Sequence, residues 1–330
     1  MNPEILEIIE DAAKAPSGHN TQPWKFEVQE SRIILRPNFE RKLRVVDPDD
    51  HALYISLGCA LENLILSAKA HGYIPGVTRN FSDAGDEIIV DLTASEDVEK
   101  DVLYDYIKIR QCTRQGYNAT PVDPEILEQL AGEVKNEFVD LLYFTEKDEI
   151  RKLEPFIIEG SSLQFKNKDF VNELVSWIRF NKKEARQKGD GIWSSSMGLP
   201  NIPKPLGNLI MKKFVSAKSE AARWKKIISQ SAGFVLFLVN GNTKENWVML
   251  GQRFQRFGLK ATQLNIKHAH VNMPCEEISV RTKLEENLGI ENGKQALLLL
   301  RFGYSEPMAY SFRLPLDEVL IKKEEAGALA

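Results

Sequence analysis

The chain is predicted to be α+β, with mostly antiparallel sheets around long central helices. Three observations lead there. Long helical patterns alternate with short apolar runs of strand length, and the strands flanking each long helix are not neighbours in sequence. One helical pattern occurs twice: Leu57-Gly58 aligns with Leu250-Gly251, and the same offset of 193 residues pairs Leu61 with Phe254, Leu64 with Phe257, Leu66 with Leu259 and Ala68 with Ala261. A period that long marks duplicated domains rather than a solenoid. Finally, 330 residues with 43% hydrophobic and 27% charged composition are enough for two ordinary globular cores.

Taken in order, Asn2 and Pro3 form a cap and first-turn proline for a helix to about Lys14. Its apolar positions, Ile5, Ile9, Ala12 and Ala13, recur at helical spacing. Phe26–Val28 and Arg32–Leu35 read as a hairpin. A helix over 52–70 turns Ile55, Gly58, Leu61, Leu64, Ile65 and Ala68 inward and stops at Gly72. Ile88–Val90 is a strand, and the acidic segment Ser95–Lys100 is a linker. A second helix is expected over Val102–Arg110. Asp123-Pro124-Glu125 then opens another through Leu130. Leu141–Phe144 is a strand, and helical patterns surround Leu174, Trp177 and Ile178. Residues 187–209, rich in Gly, Ser, Pro and Asn, read as a long loop of the kind that is functional or mobile. Phe234–Val239 and Ala296–Phe302 are strands, separated by helices near 247–264 and 275–288, the latter ended by Gly289. Lys322-Lys323-Glu324-Glu325 reads as a solvated tail.

Composition excludes some functions. A net charge of −4 argues against a dedicated nucleic-acid binder. No apolar run reaches the ~18 residues of a membrane helix, and the start lacks the basic and apolar stretches of a signal peptide. A cytoplasmic protein without membrane or nucleic-acid partners is therefore expected. Cys59, Cys112 and Cys275 are odd in number and far apart, which suits reduced thiols. The i,i+2 spacing of His268-Ala269-His270 is by itself a weak metal signal, so no metal is expected. There is no compelling catalytic triad.

Three segments carry chemistry. In Ala15-Pro16-Ser17-Gly18-His19-Asn20-Thr21-Gln22-Pro23-Trp24-Lys25-Phe26, small, polar and Pro/Gly residues let the backbone approach a flat ligand, and Gln22-Pro23-Trp24 locks the exit. In Ile109-Arg110-Gln111-Cys112-Thr113-Arg114, two arginines four apart share a face if the preceding helix continues. Two guanidinium forks suit a phosphate, with Cys112 between them as a weak donor. Near the end, Ser311-Phe312-Arg313-Leu314-Pro315 adds a cation. Arg301 reads either as compensation for a missing charge or as an outer-face strand residue.

The first segment resembles the A-P-S-x-x-N-x-Q-P-W-x-F signature of the nitroreductase family. The second resembles its R-x-S-x-R motif, with Cys112 in place of serine. The third resembles its C-terminal basic segment: Arg313 matches, and Ser311 stands where lysine is common. Tyr117 and Pro121–Pro124 continue the pattern. The motif order is the reverse of that in ordinary nitroreductases and resembles the Acg-like twin-nitroreductase family, as do Asp190-Gly191-Ile192, Trp247 and Gly251–Arg256.

That resemblance implies two nitroreductase-like domains fused into an internal pseudo-dimer: residues 1–100, truncated, and 101–330, with a lid-like insertion near 187–209. It implies one FMN, held by Pro16, Ser17, Gly18 and Asn20 from the first copy and Arg110, Cys112, Arg114 and Arg313 from the second, with His19 lining the loop and the 265–270 turn near flavin N5. The mirror-related site is expected to be vacant. NAD(P)H is the implied donor, and a nitroaromatic, quinone or similar small molecule the acceptor. An FMN storage or sequestration protein and a non-catalytic pseudoenzyme are the alternatives. Whether the chain dimerises further is left open.

Overall fold

A computed structural model describes residues 2–83, 85–213 and 215–321; Lys322–Glu325 lie outside the described residues. Helix α1 spans Pro3–Ala12, with the Asn2 side chain accepting from the Glu4 N–H and Pro3 in the first turn. It ends before the expected Lys14, and Ile5, Ile9, Ala12 and Ala13 are all buried. β1 (Trp24–Gln29) and β2 (Arg32–Pro37) form the expected antiparallel hairpin. α2 spans His51–Ala70 and is followed by Gly72 at φ +79°. β3 (Tyr73–Ser82) and β4 (Gly85–Ala94) complete an antiparallel sheet of order β1-β2-β4-β3.

The helix expected over Val102–Arg110 is only a short 3₁₀ turn at Val102–Tyr106, capped by Asp101. Arg110–Thr120 has no regular helix; instead the Thr113 N–H bonds the carbonyl of His268 at 2.9 Å, so tertiary pairing draws the segment out. α3 (Pro124–Val134) starts as expected, with Asp123 accepting from the Glu125 N–H. β5 (Val139–Phe144) follows, and then an insertion. This comprises α4 (Lys147–Lys166), α5 (Lys168–Trp177), β6 (Ile178–Arg179), α6 (Lys182–Lys188), β7 (Ile192–Trp193), α7 (Lys204–Lys213) and α8 (Ala217–Ser229). The 187–209 stretch is therefore not one long loop: it holds the end of α6, β7 paired parallel to β6, a 3₁₀ turn and the start of α7. β8 (Gly233–Asn240), α9 (Lys244–Gln263), β9 (Lys267–His270), α10 (Met273–Glu276), α11 (Ile278–Leu288), β10 (Lys294–Gly303) and α12 (Leu316–Val319) complete the chain. Gly289 caps α11 at φ +62°, as its sequence position suggested.

The second sheet has the order β5-β8-β10-β9, again antiparallel throughout. Thus α1-β1-β2-α2-β3-β4 has a counterpart in α3-β5-β8-α9-β9-β10, with α4–α8 inserted between β5 and β8 and α10–α11 between β9 and β10. Both faces of β8 and β10 are covered. Val235, Phe237 and Val239 join the central core with α9, while Phe234, Leu236 and Leu238 pack with Leu153 of α4 and Trp224 of α8. Their unbroken apolar sequence follows from that double burial.

α2 and α9 pack on each other more extensively than any other pair of elements. The contact is reciprocal. A Cβ on Gly58 would fall 2.0 Å from the Val248 carbonyl oxygen, and one on Gly251 would fall 2.0 Å from that of Ile55. Ile55 and Val248 are themselves related by the 193-residue offset. Likewise Arg256 Nη1 bonds Glu62 Oε1 at 3.0 Å, and Gln255 Nε2 bonds Asn63 Oδ1 at 2.7 Å, with the two members exchanging places. The two sets of contacts are thus related by exchanging α2 with α9. Among the described residues α2 is long and apolar enough to cross a membrane, but 89% of that stretch is buried against the rest of the protein.

After β10 the chain crosses to the first sheet. The Ile321 N–H bonds the Phe26 carbonyl at 2.8 Å, and Leu320 lies parallel beside β1.

Candidate functional site

The loop between α1 and β1 is backbone-strained. His19, Asn20 and Gln22 have φ of 47°, 57° and 54°. Side-chain-bearing residues rarely adopt this region, and runs of them cluster at working sites. The Ser17 hydroxyl holds the bend by accepting from the Gln22 N–H at 2.9 Å. Pro16, Ser17 and Gly18 stay partly exposed, and a Cβ on Gly18 would crowd Leu43 at 3.1 Å.

Two buried amides then fasten this loop to distant chain. Asn20 Nδ2 donates to the carbonyls of Gly191 and Phe312 at 3.0 and 3.1 Å, and its Oδ1 accepts from Arg313. Gln22 Nε2 donates to the Gly189 carbonyl and its Oε1 accepts from the Leu314 N–H, both at 2.9 Å. Asn20, expected to face a cofactor, thus spends both donors and an acceptor on the chain itself. Asp190, between the two glycines, is neutralised by Arg41 at 2.5 Å and Arg179 at 2.7 Å.

The second segment arrives without regular secondary structure, so no continuing helix brings Arg110, Cys112 and Arg114 together. All three act on Arg313. Arg110 is 6% exposed; its Nη1 lies 3.8 Å from the Cys112 sulfur and its Nε has no partner. Gly258 of α9 gives it room, since a Cβ there would sit 3.3 Å from Arg110 Cδ. Arg301 fits neither sequence reading. It is 1% exposed, donates to the Gln115 carbonyl at 2.7 Å and stacks 4.0 Å over Tyr117, bracing this segment from beneath.

Arg313 joins the two segments. Nη1 donates to Asn20 Oδ1 at 3.0 Å, and Nη2 to the carbonyls of Lys14 and Ala15 at 3.1 and 3.3 Å. Its Nε is buried without a partner. Burial, followed by repulsion from Arg110 and Arg114, pushes its pKa down to about 9. Burial and then the Arg114 charge lower His19 to about 4. Among the described residues, the polar partners of Arg110 and Arg313 are neutral groups and the Cys112 sulfur. Burying cations without carboxylates is costly unless an anion is supplied.

The 265–270 stretch, expected as a turn near the flavin, supplies the other wall of this site as strand β9, and sequence reasoning did not foresee that its histidines face Cys112. His268 and His270 project from one face of β9, as alternate strand residues must. His268 is 1% exposed, and no oxygen or nitrogen partners either ring nitrogen. Burial alone would raise the Cys112 thiol pKa. The nearby His268 and His270 outweigh it and hold the thiol well below its ordinary value. The i,i+2 histidine spacing was a usable signal, but the cysteine lies far away in sequence.

The donor set fits a flavin mononucleotide: a phosphate-bearing end for the guanidiniums, with orphaned N–H groups on Arg110 and Arg313, and exposed small-residue backbone at Pro16–Gly18 for a flat ring. Elsewhere on the α2–α9 pair lies a polar cleft of about 430 Å³, lined by Glu62, Arg79, Glu133, Gln252, Arg253 and Arg256. Its Arg256 is already bound by Glu62, Asp101 and Glu133, and these carboxylates, after opposition from burial, hold its pKa above the ordinary arginine value.

No protein-family model matches the chain. Two curated Mycobacterium tuberculosis proteins, named "Putative NAD(P)H nitroreductase Rv3131" and "Putative NAD(P)H nitroreductase MT3217", are each 22% identical over 331 residues, covering 97% of this chain and 92% of theirs. Among solved structures, a nitroreductase-like family protein from Bacillus cereus is 12% identical with TM-score 0.42, covering 68% of this chain and 98% of that one. A nitroreductase with bound FMN from Bacteroides fragilis is 11% identical with TM-score 0.42, covering 68% and 100%. TM-scores of this size carry no weight beside the sequence alignment. The end-to-end sequence likeness of this chain is to proteins of the nitroreductase superfamily.

Proposed function

We propose that the chain is an FMN-dependent oxidoreductase that passes electrons from NAD(P)H to a small-molecule acceptor such as a nitroaromatic or quinone. In this reading it is two nitroreductase-like halves fused in one chain, residues 1–100 and 101–330, forming an internal pseudo-dimer of the Acg-like twin kind. The repeated element order and the reciprocal α2–α9 contact support the fusion. The names of the full-length relatives support the chemistry.

One observation carries the reading: Arg110, Arg114 and Arg313 converge, with Arg313 bonded directly to the strained loop that bears Pro16–Asn20. The three guanidiniums would hold the phosphate, and the Pro16–Gly18 backbone would lie against the ring. Asn20 and Gln22 act one step back, positioning the loop and Arg313. The 189–193 stretch, with Trp193 5.4 Å from Phe312, covers them. When bound, FMN supplies the hydride chemistry, and the protein supplies position and charge.

The test is an anaerobic titration of the purified, FMN-loaded protein with NADPH and NADH. Bleaching of the flavin absorbance, followed by recovery on adding a nitroaromatic or quinone, is expected. Failure to bind FMN would overturn the proposal, and tight binding without bleaching would leave a flavin-holding protein.

A further inference from the structure

The flavin reading leaves Cys112 unexplained, because a serine hydroxyl would serve a phosphate as well. The surroundings of its sulfur are unusual. On its own segment Arg110 Nη1 approaches to 3.8 Å, and Arg114 acts on Arg313 together with Arg110 and Cys112. From β9 come His268, almost fully buried with neither nitrogen satisfied by oxygen or nitrogen, and His270. Arg313 reaches in from the C-terminal arm. Tyr117 and, on α2, Cys59 lie close enough to feel its charge. Behind His270, Glu276 of α10 is held by Gln164 and Asn272. The residue remains partly exposed. A partly accessible cysteine among cations and unsatisfied imidazoles is the setting in which thiols become nucleophiles. Cys59 and Cys275 are the opposite case: both are buried, and burial pushes both thiols up.

We propose that Cys112 is a site of oxidation by hydroperoxides, with Arg110 and the His268–His270 pair holding its sulfur ready to attack. The thiolate sulfur bonds to one peroxide oxygen as the O–O bond breaks. Sulfur gives up two electrons and becomes sulfenic acid; the departing hydroxide takes a proton from solvent and leaves as water. The peroxide is the oxidant and is itself reduced. No flavin takes part in this step, although Arg110 also belongs to the phosphate site proposed above.

The experiment labels the full-length protein with brief iodoacetamide pulses across a pH series and reads each cysteine by peptide mass spectrometry. Cys112 is expected to label first, with a half-maximal rate well below the ~8.5 of a free thiol, while Cys59 and Cys275 stay dark. Hydrogen peroxide followed by a sulfenate-trapping dione should mark Cys112 at least about tenfold faster than either standard. His268→Asn should move the half-labelling pH upward and slow the peroxide step. Labelling of Cys112 with a free-thiol profile, or no faster than at the two standards, would overturn the proposal. The wild-type profile decides the matter if His268→Asn does not fold.

Discussion

At the scale of single residues, the site is a set of cations whose partners are neutral. Arg110 has its sulfur contact and an orphaned Nε, while Arg313 leans on an amide oxygen and two carbonyls. Removing one fork should therefore cost about one charged hydrogen bond. Arg110→Ala should weaken FMN binding by roughly 1.5–3 kcal/mol, read by fluorescence titration, and unchanged affinity would count against the phosphate assignment. Some of this was legible in sequence. Arg110 and Arg114 were singled out from their spacing and motif, and Arg313 from its resemblance to the family's basic segment. The helix expected to join the first two is absent, and the Thr113 N–H pairs with the His268 carbonyl instead. The Asn20 side chain was read as facing a ligand, because nothing local reveals that carbonyls of Gly191 and Phe312 lie within its reach.

Among elements, α2 shows how a buried helix start handles charge. Asp47 caps it by accepting from the Ala52 and Leu53 N–H groups at 2.9 Å, and His51 sits 2.6 Å from Asp49 and 3.0 Å from Asp47. Burial works against the imidazolium, but the hydrogen bonds to Asp47 and Asp49 win and raise His51 to about 9. A pKa raised on folding favours the native state below the unfolded value of ~6.5, and that gain disappears as pH climbs toward 9. Denaturation midpoints of the wild type should fall over this window, whereas those of His51→Gln should fall less; parallel profiles would refute the linkage. The α2–α9 seam makes a sharper prediction. In an open helix Gly→Ala gains about 1 kcal/mol, but at Gly58 or Gly251 the new methyl meets a backbone carbonyl at 2.0 Å. Either substitution should destabilise by about 3 kcal/mol, with a lowered urea midpoint as the readout. The Leu-Gly repeat that reveals this seam was plain in the sequence. β3 was not, because its ten residues alternate half-buried with exposed and include Pro75, Gly76, Thr78, Arg79 and Asn80.

At the level of the whole molecule, α2 and α9 bury each other. α2 is buried on nearly every side, partly by α9, so a fragment of residues 1–100 would present a wide apolar surface to water. Expressed alone, it should fail to fold, with a disordered circular dichroism spectrum, and co-expression with 101–330 should restore solubility. A folded, soluble fragment would contradict the interlocked architecture. The two sheets themselves were partly readable, since β8 and β10 hold the unbroken apolar runs Phe234–Val239 and Ala296–Leu300. Their shared order came only from pairing across long sequence distances.

The crossing of the last residues onto the edge of β1 has a wider consequence. Arg313 and Leu314 bond residues 293 and 292 positions earlier in the chain, so the bend at Asn20–Gln22 can be clasped only after both have left the ribosome. Any ligand that needs that bend in place would then be captured late in the life of each new molecule.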